Sequence, residues 1–357
     1  MIVLGDTVFP YSSIDPDIFS NISNTFMASP KLVNMEAAIH QPNLNRLASG
    51  VCLLSNPSVL NFCEILNIRV ASLSNNHITD FDINLDHLKD LLLKNDIQSF
   101  GAGANIKEAS TPYINHDEKL VALAFGWDVI TCKYATEKRA GVNPYEYLWV
   151  EENANRYRKQ YPNYKLIVVL HCNYEFEMYP QPADRQFAFH LIDIGVNLIV
   201  CHHPHIIQGF EKYKGSSIYY SLGNFYFPNG MYNNSNITFP SKSNVGLGVD
   251  VAADNMVYVS KLINNKFLDV GNATQPEHVK ELMDLSQFAG LSHQEYINFF
   301  KVNRIKRKLL PIYRNYNDHT INKVYDICVK SRQRPVDLLG HIKSRLKRRS
   351  NTPPLSE

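Results

Sequence analysis

The sequence predicts an α/β layered domain, and three observations carry that prediction. Short β-branched or apolar runs alternate with segments of helical periodicity along roughly the first 270 residues. Acidic, amide and imidazole side chains follow several of those runs directly. Past Pro276 the alternation stops and only helical patterning continues, which marks a C-terminal helical extension. A chain of 357 residues, 45% hydrophobic and 20% charged, is long and apolar enough for a sizeable core, which excludes intrinsic disorder and collagen-like repeats.

Residues 2–4, 31–33, 70–73, 120–125, 166–170, 198–200 and 217–221 have the length and composition of buried strands. Residues 245–251 and 256–263 read as a hairpin. Helices are expected over 84–94, 144–160 and 182–194; Leu85, Leu88 and Leu92 give the first a core-facing stripe at i, i+3 and i+7. Residues 229–244, rich in Gly, Pro, Asn and Ser, read as a long loop of the kind that rims a site. Farther on, Ser292 and Glu295 have capping-box spacing, and Ile321, Val324, Tyr325 and Cys328 share a helical face. Pro335 can open a last helix carrying Leu338, Leu339, Ile342 and Leu346. The organisation expected is a domain over 1–270, a basic helical module over 276–349 and a tail over 350–357.

The net charge of +2 hides an asymmetry. Residues 300–349 hold 15 Lys or Arg against Asp318, Asp326 and Asp337, so this stretch carries +12 and the remainder −10. Such a module suits peripheral contact with an anionic membrane or an acidic polymer. Nucleic acid is disfavoured, because only Tyr313, Tyr316 and Tyr325 stand among the charges as stacking platforms. The competing expectation is that the module packs on the acidic body through Ile321, Val324 and Cys328. The six cysteines are dispersed without a C-x-x-C pair, so core filling is expected of them rather than disulfides. The opening Met-Ile-Val-Leu-Gly-Asp has no basic segment followed by an apolar stretch, and no run of about 18 apolar residues follows. The expectation is a cytoplasmic protein, peripheral at most on the inner face of a membrane.

Asp6, Glu36, Asn76 with His77, His171, and His203 with His205 each follow an expected strand. Ligands of open α/β sheets bind where strands end, so one edge can gather all of them. Singly, each is ordinary: an Asp after a strand commonly caps a turn, and a lone His is commonly a satisfied polar group. Together they form a mixed N/O donor set that suits Zn, Mn or Fe and is too rich in imidazole for a Ca or Mg cage. His203-Pro204-His205 places two imidazoles at i and i+2, on one face if the backbone is extended.

Six segments, in order, carry a family resemblance: Leu4-Gly5-Asp6, Val33-Asn34-Met35-Glu36, Ser74-Asn75-Asn76-His77-Ile78-Thr79-Asp80, His171-Cys172-Asn173-Tyr174-Glu175, His202-His203-Pro204-His205 and Tyr220-Ser221-Leu222-Gly223-Asn224-Phe225. Over roughly residues 1–265 the chain resembles the CapA-type poly-γ-glutamate capsule-synthesis proteins, of the calcineurin-like metallophosphoesterase superfamily. The resemblance implies a four-layer fold of two mixed β-sheets packed together and flanked by helices. It implies two divalent metals bridged by Glu36, one also held by Asp6 and His205, the other by Asn76, His171 and His203. His77 would stand outside them as a proton donor oriented by Asp80, and Glu175 would be a second acid-base or ligand candidate. Where the wider superfamily has a further histidine ligand, this chain has Val8, so the first metal is expected to be held more weakly, with Glu175 ahead of His202 as a replacement ligand. The family's Trp-Gly is Cys172-Asn173 here, and its Asp-Tyr-Gly is Asp80-Phe81-Asp82.

The function expected is metal-dependent hydrolysis of a phosphoester or related bond in an anionic small molecule or polymer, linked to capsule biosynthesis. The alternatives are a non-catalytic accessory or polymer-binding protein, and a scaffold whose metals are only structural.

Overall fold

The computed structural model describes residues 1–332 except 49, 233–234, 253–256, 273–281 and 306–309. It is a mixed α/β structure built on two large sheets. The chain first lays down β1 (Ile2–Thr7), β2 (Lys31–Met35), β3 (Ile68–Ser72) and β4 (Gln98–Phe100), all parallel. It then builds a second sheet of six strands: β5 (Tyr113–Asn115), β6 (Leu120–Gly126), β7 (Lys165–His171), β8 (Leu198–His202), β9 (Phe210–Tyr213) and β10 (Ser216–Tyr219). There β6, β7, β8 and β10 are parallel, while β5 and β9 are antiparallel edges. The chain returns to the first sheet with β11 (Asn224–Tyr226), parallel to β1, and an antiparallel meander of β12 (Val245–Asp250), β13 (Val257–Ile263) and β14 (Lys266–Asn272).

Strand alternation distributes the core. Val3, Leu32, Val70, Leu247 and Val249 of the first sheet meet Ala122, Ile167, Val169, Leu198 and Val200 of the second in one cluster. On its other face the first sheet contributes Ile2, Leu4, Val33 and Ala71 to a cluster with Phe62 and Cys63 of α1 (Val59–Ile65) and Leu85, Leu88 and Leu92 of α2 (Leu85–Leu93). The second sheet's other face packs on Val150 and Ala154 of α3 (Tyr147–Gln160), Phe187 and Leu191 of α4 (Pro182–Asp193), and Tyr296 and Phe300 of α5 (His293–Asn303).

The strands and helices fall where the periodicities predict, and α5 opens with the expected Ser292–Glu295 capping box. Two readings change. Residues 229–244 hold a two-stranded hairpin, Gly230–Tyr232 with Ser235–Ile237, because alternating Tyr232, Ile237 and Phe239 find apolar partners in Val8, Leu53 and Phe227. Residues 319–332 are helical, but Asn322, Tyr325 and Val329 face the body, leaving Ile321, Val324 and Cys328 exposed. The aromatic wall behind this helix selects that face: Tyr325 meets Tyr313 edge-on, with ring centroids 5.6 Å apart. The helix expected after Pro335 lies outside the described residues. No helix among the described residues is long and apolar enough to cross a membrane.

One buried ion pair ties α4 to the second sheet and to the turn before α5. The Arg185 guanidinium donates to both carboxylate oxygens of Glu211 at 2.6 Å, and Glu211 also accepts from Tyr220 Oη at 2.8 Å. Both side chains are almost wholly buried. Removing one partner strands the other charge in a low dielectric, so Arg185→Met is expected to cost about 3–5 kcal/mol in urea unfolding, and the double change Arg185→Met/Glu211→Leu to recover most of it. A single substitution as mild as the double one would show that the charge is not desolvated.

Candidate metal centre

The inter-sheet layer is apolar along most of its length and turns polar at the carboxyl ends of the parallel strands, where α/β sheets place their ligands. Val169 and Val200 belong to that layer; two residues on, in matched register, stand His171 and His202. In the first sheet Leu32 is followed at i+2 by Asn34. Asp6 reaches the same face through a break in register: Val3 pairs with Leu32, but Asp6 pairs with Asn34, so β1 advances three residues while β2 advances two. A bulge of this kind re-aims a side chain. Gly5 is obligatory within it, since a Cβ there would lie 2.0 Å from Gly223 O.

Asp6, Glu36, Asn76, His171, His203 and His205 are all buried. Asn34 links the carboxylates, its Nδ2 donating to Asp6 Oδ1 at 2.8 Å and to Glu36 Oε2. His171 Nε2 lies 2.8 Å from Asn76 Oδ1 and 3.4 Å from Glu36 Oε1. His205 Nδ1 lies 3.2 Å from Asp6 Oδ2 and 3.0 Å from Asn224 Oδ1. His171 and His203 have ring centroids 5.0 Å apart, and His203 and His205 5.8 Å apart. Two groups have donor atoms within 4.8 Å of one another, Asp6/Glu36/His171 and Glu36/His203/His205, and Glu36 belongs to both.

His203 and His205 reach the site by a route other than an extended His-Pro-His. Both have left-handed backbones, φ 95° and 56°, and the facing turn after β7 has Asn173 and Phe176 at 75° and 60°. Non-glycine residues there cost on the order of 1–3 kcal/mol each and cluster at functional sites. A hydrogen bond from Phe176 N to Pro204 O, 2.9 Å, clamps the two turns together. Asn75 fixes the turn after β3, its Oδ1 accepting from His77 N and Ile78 N at 3.1 and 3.0 Å while its Nδ2 donates to Met35 O at 2.7 Å.

His77 stands at the margin, more exposed than the rest, with Nδ1 2.7 Å from Asp80 Oδ2. Asp80 also accepts from Leu53 N at 2.9 Å, which fixes the carboxylate and through it the ring. Glu175 is exposed on the turn after β7, and its charge acts on Glu36, His203 and His205 through space. Phe239 and Phe227 pack against His205, each with ring centroids 5.4 Å from it, and form one wall. Sequence reasoning quoted Asn34 and Asn224 within motifs but gave them no role. An asparagine in the middle of the run Lys31–Met35 was the available signal, since strands are depleted in it.

The electrostatics set the two carboxylates apart. Burial would raise Asp6, but His202 and His205 outweigh it and hold its carboxyl well below the usual range. Glu36 goes the other way: burial and the neighbouring Asp6 charge push it well above the carboxylate range, against the opposing bond from Asn34. Burial, reinforced by His203, keeps His171 well below an ordinary imidazole, and burial takes His203 down to about 3. Glu36 Oε1 and His203 Nδ1 are buried without a hydrogen-bond partner. Orphaned buried donor atoms on carboxylate and imidazole, with nitrogen and oxygen mixed, fit a transition-metal or zinc ion.

Mixed parallel sheets whose strand ends converge on a buried Asp/Glu/His/Asn cluster define a protein built around a candidate metal centre. The match to known proteins is narrower: residues 12–229 fit the model of the bacterial capsule synthesis protein PGA_cap, and the chain belongs to that family. The capsule biosynthesis protein CapA of Bacillus anthracis is 34% identical over 196 residues, covering 53% of this chain and 47% of that protein. The PGA biosynthesis protein CapA of Bacillus subtilis is 28% identical over 224 residues, 60% of this chain and 57% of its own. A probable polyglutamine synthesis accessory protein of Mycobacterium tuberculosis is 26% identical over 204 residues, 54% of each chain. The alignments thus span about half the length of these relatives. Among solved structures, that of a Thermus thermophilus protein aligns with 73% of this chain and 98% of its own at 12% identity and a TM-score of 0.38.

A histidine kept neutral by burial makes stability pH-dependent. His203 binds no proton in the fold until about pH 3, whereas the unfolded chain takes one up below about 6.5, so its contribution is present above 6.5 and is lost as pH falls towards 3. In chelated protein, the urea midpoint of His203→Leu should therefore fall less steeply than wild type between about pH 6.5 and 4. Glu36, whose raised carboxyl acts in the opposite sense, is common to both proteins. Parallel slopes would remove the buried neutral imidazole as a cause.

Proposed function

We propose that the chain is a metal-dependent hydrolase serving capsule polymer biosynthesis, acting on a phosphoester or related bond of an anionic substrate. The observation that carries this reading is the convergence of Asp6, Glu36, Asn76, His171, His203 and His205 with buried donor atoms left unpartnered. The apolar clusters on both faces of each sheet support the four-layer arrangement of metallophosphoesterases.

Two divalent ions, Mn, Zn or Fe, would be held by those six residues with Glu36 between them, supplying Lewis acidity and an activated water. The protein's own part is organisation. Asn34 sets the spacing of Asp6 and Glu36, and Asn75 fixes the turn that presents Asn76 and His77. Asp80 accepts from His77 Nδ1, which leaves Nε2 free to exchange a proton with a leaving oxygen. Glu175 is a second acid-base candidate at the mouth. The name of the mycobacterial relative, an accessory protein, favours one other reading, in which the same centre binds the polymer without cleaving it.

The two readings separate on His77. His77→Ala should keep its metal and lose turnover by a factor on the order of 10² or more against a panel of phosphoesters and polyglutamate, as removal of a proton donor does. Glu36→Gln should lose both ions, measured by elemental analysis. Wild-type protein that is metal-loaded yet inert across the panel would favour the binder.

The basic extension supports one part of the partner expectation. On residues 319–332 the exposed Ile321, Val324 and Ile327 lie beside Lys323, the pairing of apolar and cationic groups that anionic interfaces attract. Full-length protein should co-sediment with anionic vesicles at low salt better than a chain ending near residue 310. Equal binding would end the idea.

A further inference from the structure

Val8, two residues beyond Asp6, is fully buried in an apolar cluster with Ala37, Leu53, Phe227 and Tyr232 and offers no donor atom. We infer that His202, the last residue of β8, is itself a metal ligand beside Asp6; the inference rests on the metal reading proposed above.

Three observations point the same way. His202 is fully buried, and neither ring nitrogen has a hydrogen-bond partner. A neutral imidazole carries one N–H and one lone pair, and leaving such a group unmatched in the interior is unfavourable. A cation beside the lone pair would offset part of that cost. Second, His202 is aimed: it stands level with His171 in the parallel register of β7 and β8, on the face that presents the polar layer to Asp6. Third, its Nδ1 is 3.2 Å from Asp6 Oδ1, yet the two do not line up as a hydrogen bond. Donor atoms bound about 2.0–2.2 Å from one ion at angles of about 90–110° lie about 2.8–3.6 Å apart without pointing at each other. His205 Nδ1 lies at the same 3.2 Å from the other oxygen, Asp6 Oδ2. Asp6 is therefore flanked by an imidazole on each oxygen. Glu175, the rival replacement, stands exposed on the turn after β7 rather than within the buried cluster.

His202 would thus approach the ion beside Asp6 from the second sheet, across from β1. The alternative role for His202 is to orient Asp6 without touching metal. Titrating chelated wild type, His202→Leu and His202→Gln with Co²⁺, by calorimetry and by the visible absorption of the bound ion, separates the two. Expected is two equivalents in the wild type, with one site weakened at least tenfold and its absorption altered in both variants. The metal-free His202→Leu protein loses an imidazole that favours the ionised Asp6 and is expected to melt somewhat lower than metal-free wild type, so the readout is the rise in melting temperature on adding Co²⁺, which should shrink. His202→Gln keeps a polar group but no ring nitrogen, and guards against a folding defect in the first variant. Two equivalents at wild-type affinity and unchanged absorption in both variants would overturn the inference while leaving the metal reading intact. A wild-type protein that takes up no cobalt would sink the metal reading itself.

Discussion

Two carboxylates buried side by side impose the main constraint on this structure. Asp6 and Glu36 share the Nδ2 of one asparagine, lie among four buried histidines, and cannot both be ionised without a compensating charge. The conflict falls unequally on the two: neighbouring imidazoles hold the Asp6 carboxyl well below the usual range, and burial beside that charge pushes Glu36 well above it. A cation bound between them would favour the ionised form of both, so binding and ionisation would be coupled. Everything that places these groups must be rigid to a fraction of an ångström, because a partly satisfied buried polar network is worse than none.

That rigidity comes from close backbone approach at the strand ends. Gly5 lies against the carbonyl of Gly223, and Asp6 N donates to the same carbonyl at 2.9 Å, so β1 and β11 are fastened at the bulge that aims Asp6. Across the seam, the turns after β7 and β8 are fastened by the Phe176–Pro204 bond and hold four non-glycine residues at positive φ. Such conformations persist only where the surroundings over-determine them. The strained turns, the bulge and the asparagine clamps all lie within the polar layer, while the strands leading to it are regular.

This contrast explains what the sequence revealed and what it hid. Strands and helices were legible because their signals are periodic: Leu85, Leu88 and Leu92 announce a buried face, and Ser292 with Glu295 announces a helix start. The set of candidate donors was legible because each stands at or beyond a strand end: Asp6 and His171 in the last two residues of β1 and β7, and Glu36, Asn76, His203 and His205 after β2, β3 and β8. Their mutual arrangement was not, since it depends on a bulge and on left-handed turns that periodicity does not encode. His203 and His205 come together through φ values that an extended reading of His-Pro-His excludes. Asn34 was given no role, and His202 was ranked behind Glu175, for another reason: the carboxylate that each meets, Asp6, belongs to a different strand and is invisible along the chain. The face of residues 319–332 that packs was misread because Ile321 and Val324 have the periodicity, but the aromatic wall supplied by Trp127 and Tyr313 lies elsewhere in the sequence.

Directly after His171 the chain continues Cys172-Asn173, and the two residues hold the turn in different ways. Asn173 sits at φ 75°, so the position demands a left-handed backbone; asparagine tolerates this better than most other residues, so the turn is kept. Its side chain then does something glycine cannot, with Nδ2 donating to Tyr179 O at 3.0 Å and Oδ1 accepting from Tyr174 N at 2.8 Å. Cys172 is buried, and a small cavity lies beside it, lined by Leu170, Pro180, Asp184, Cys201, Gln208 and Tyr220. Both residues shape the packing directly behind His171, so they set the floor of the site rather than its donor atoms.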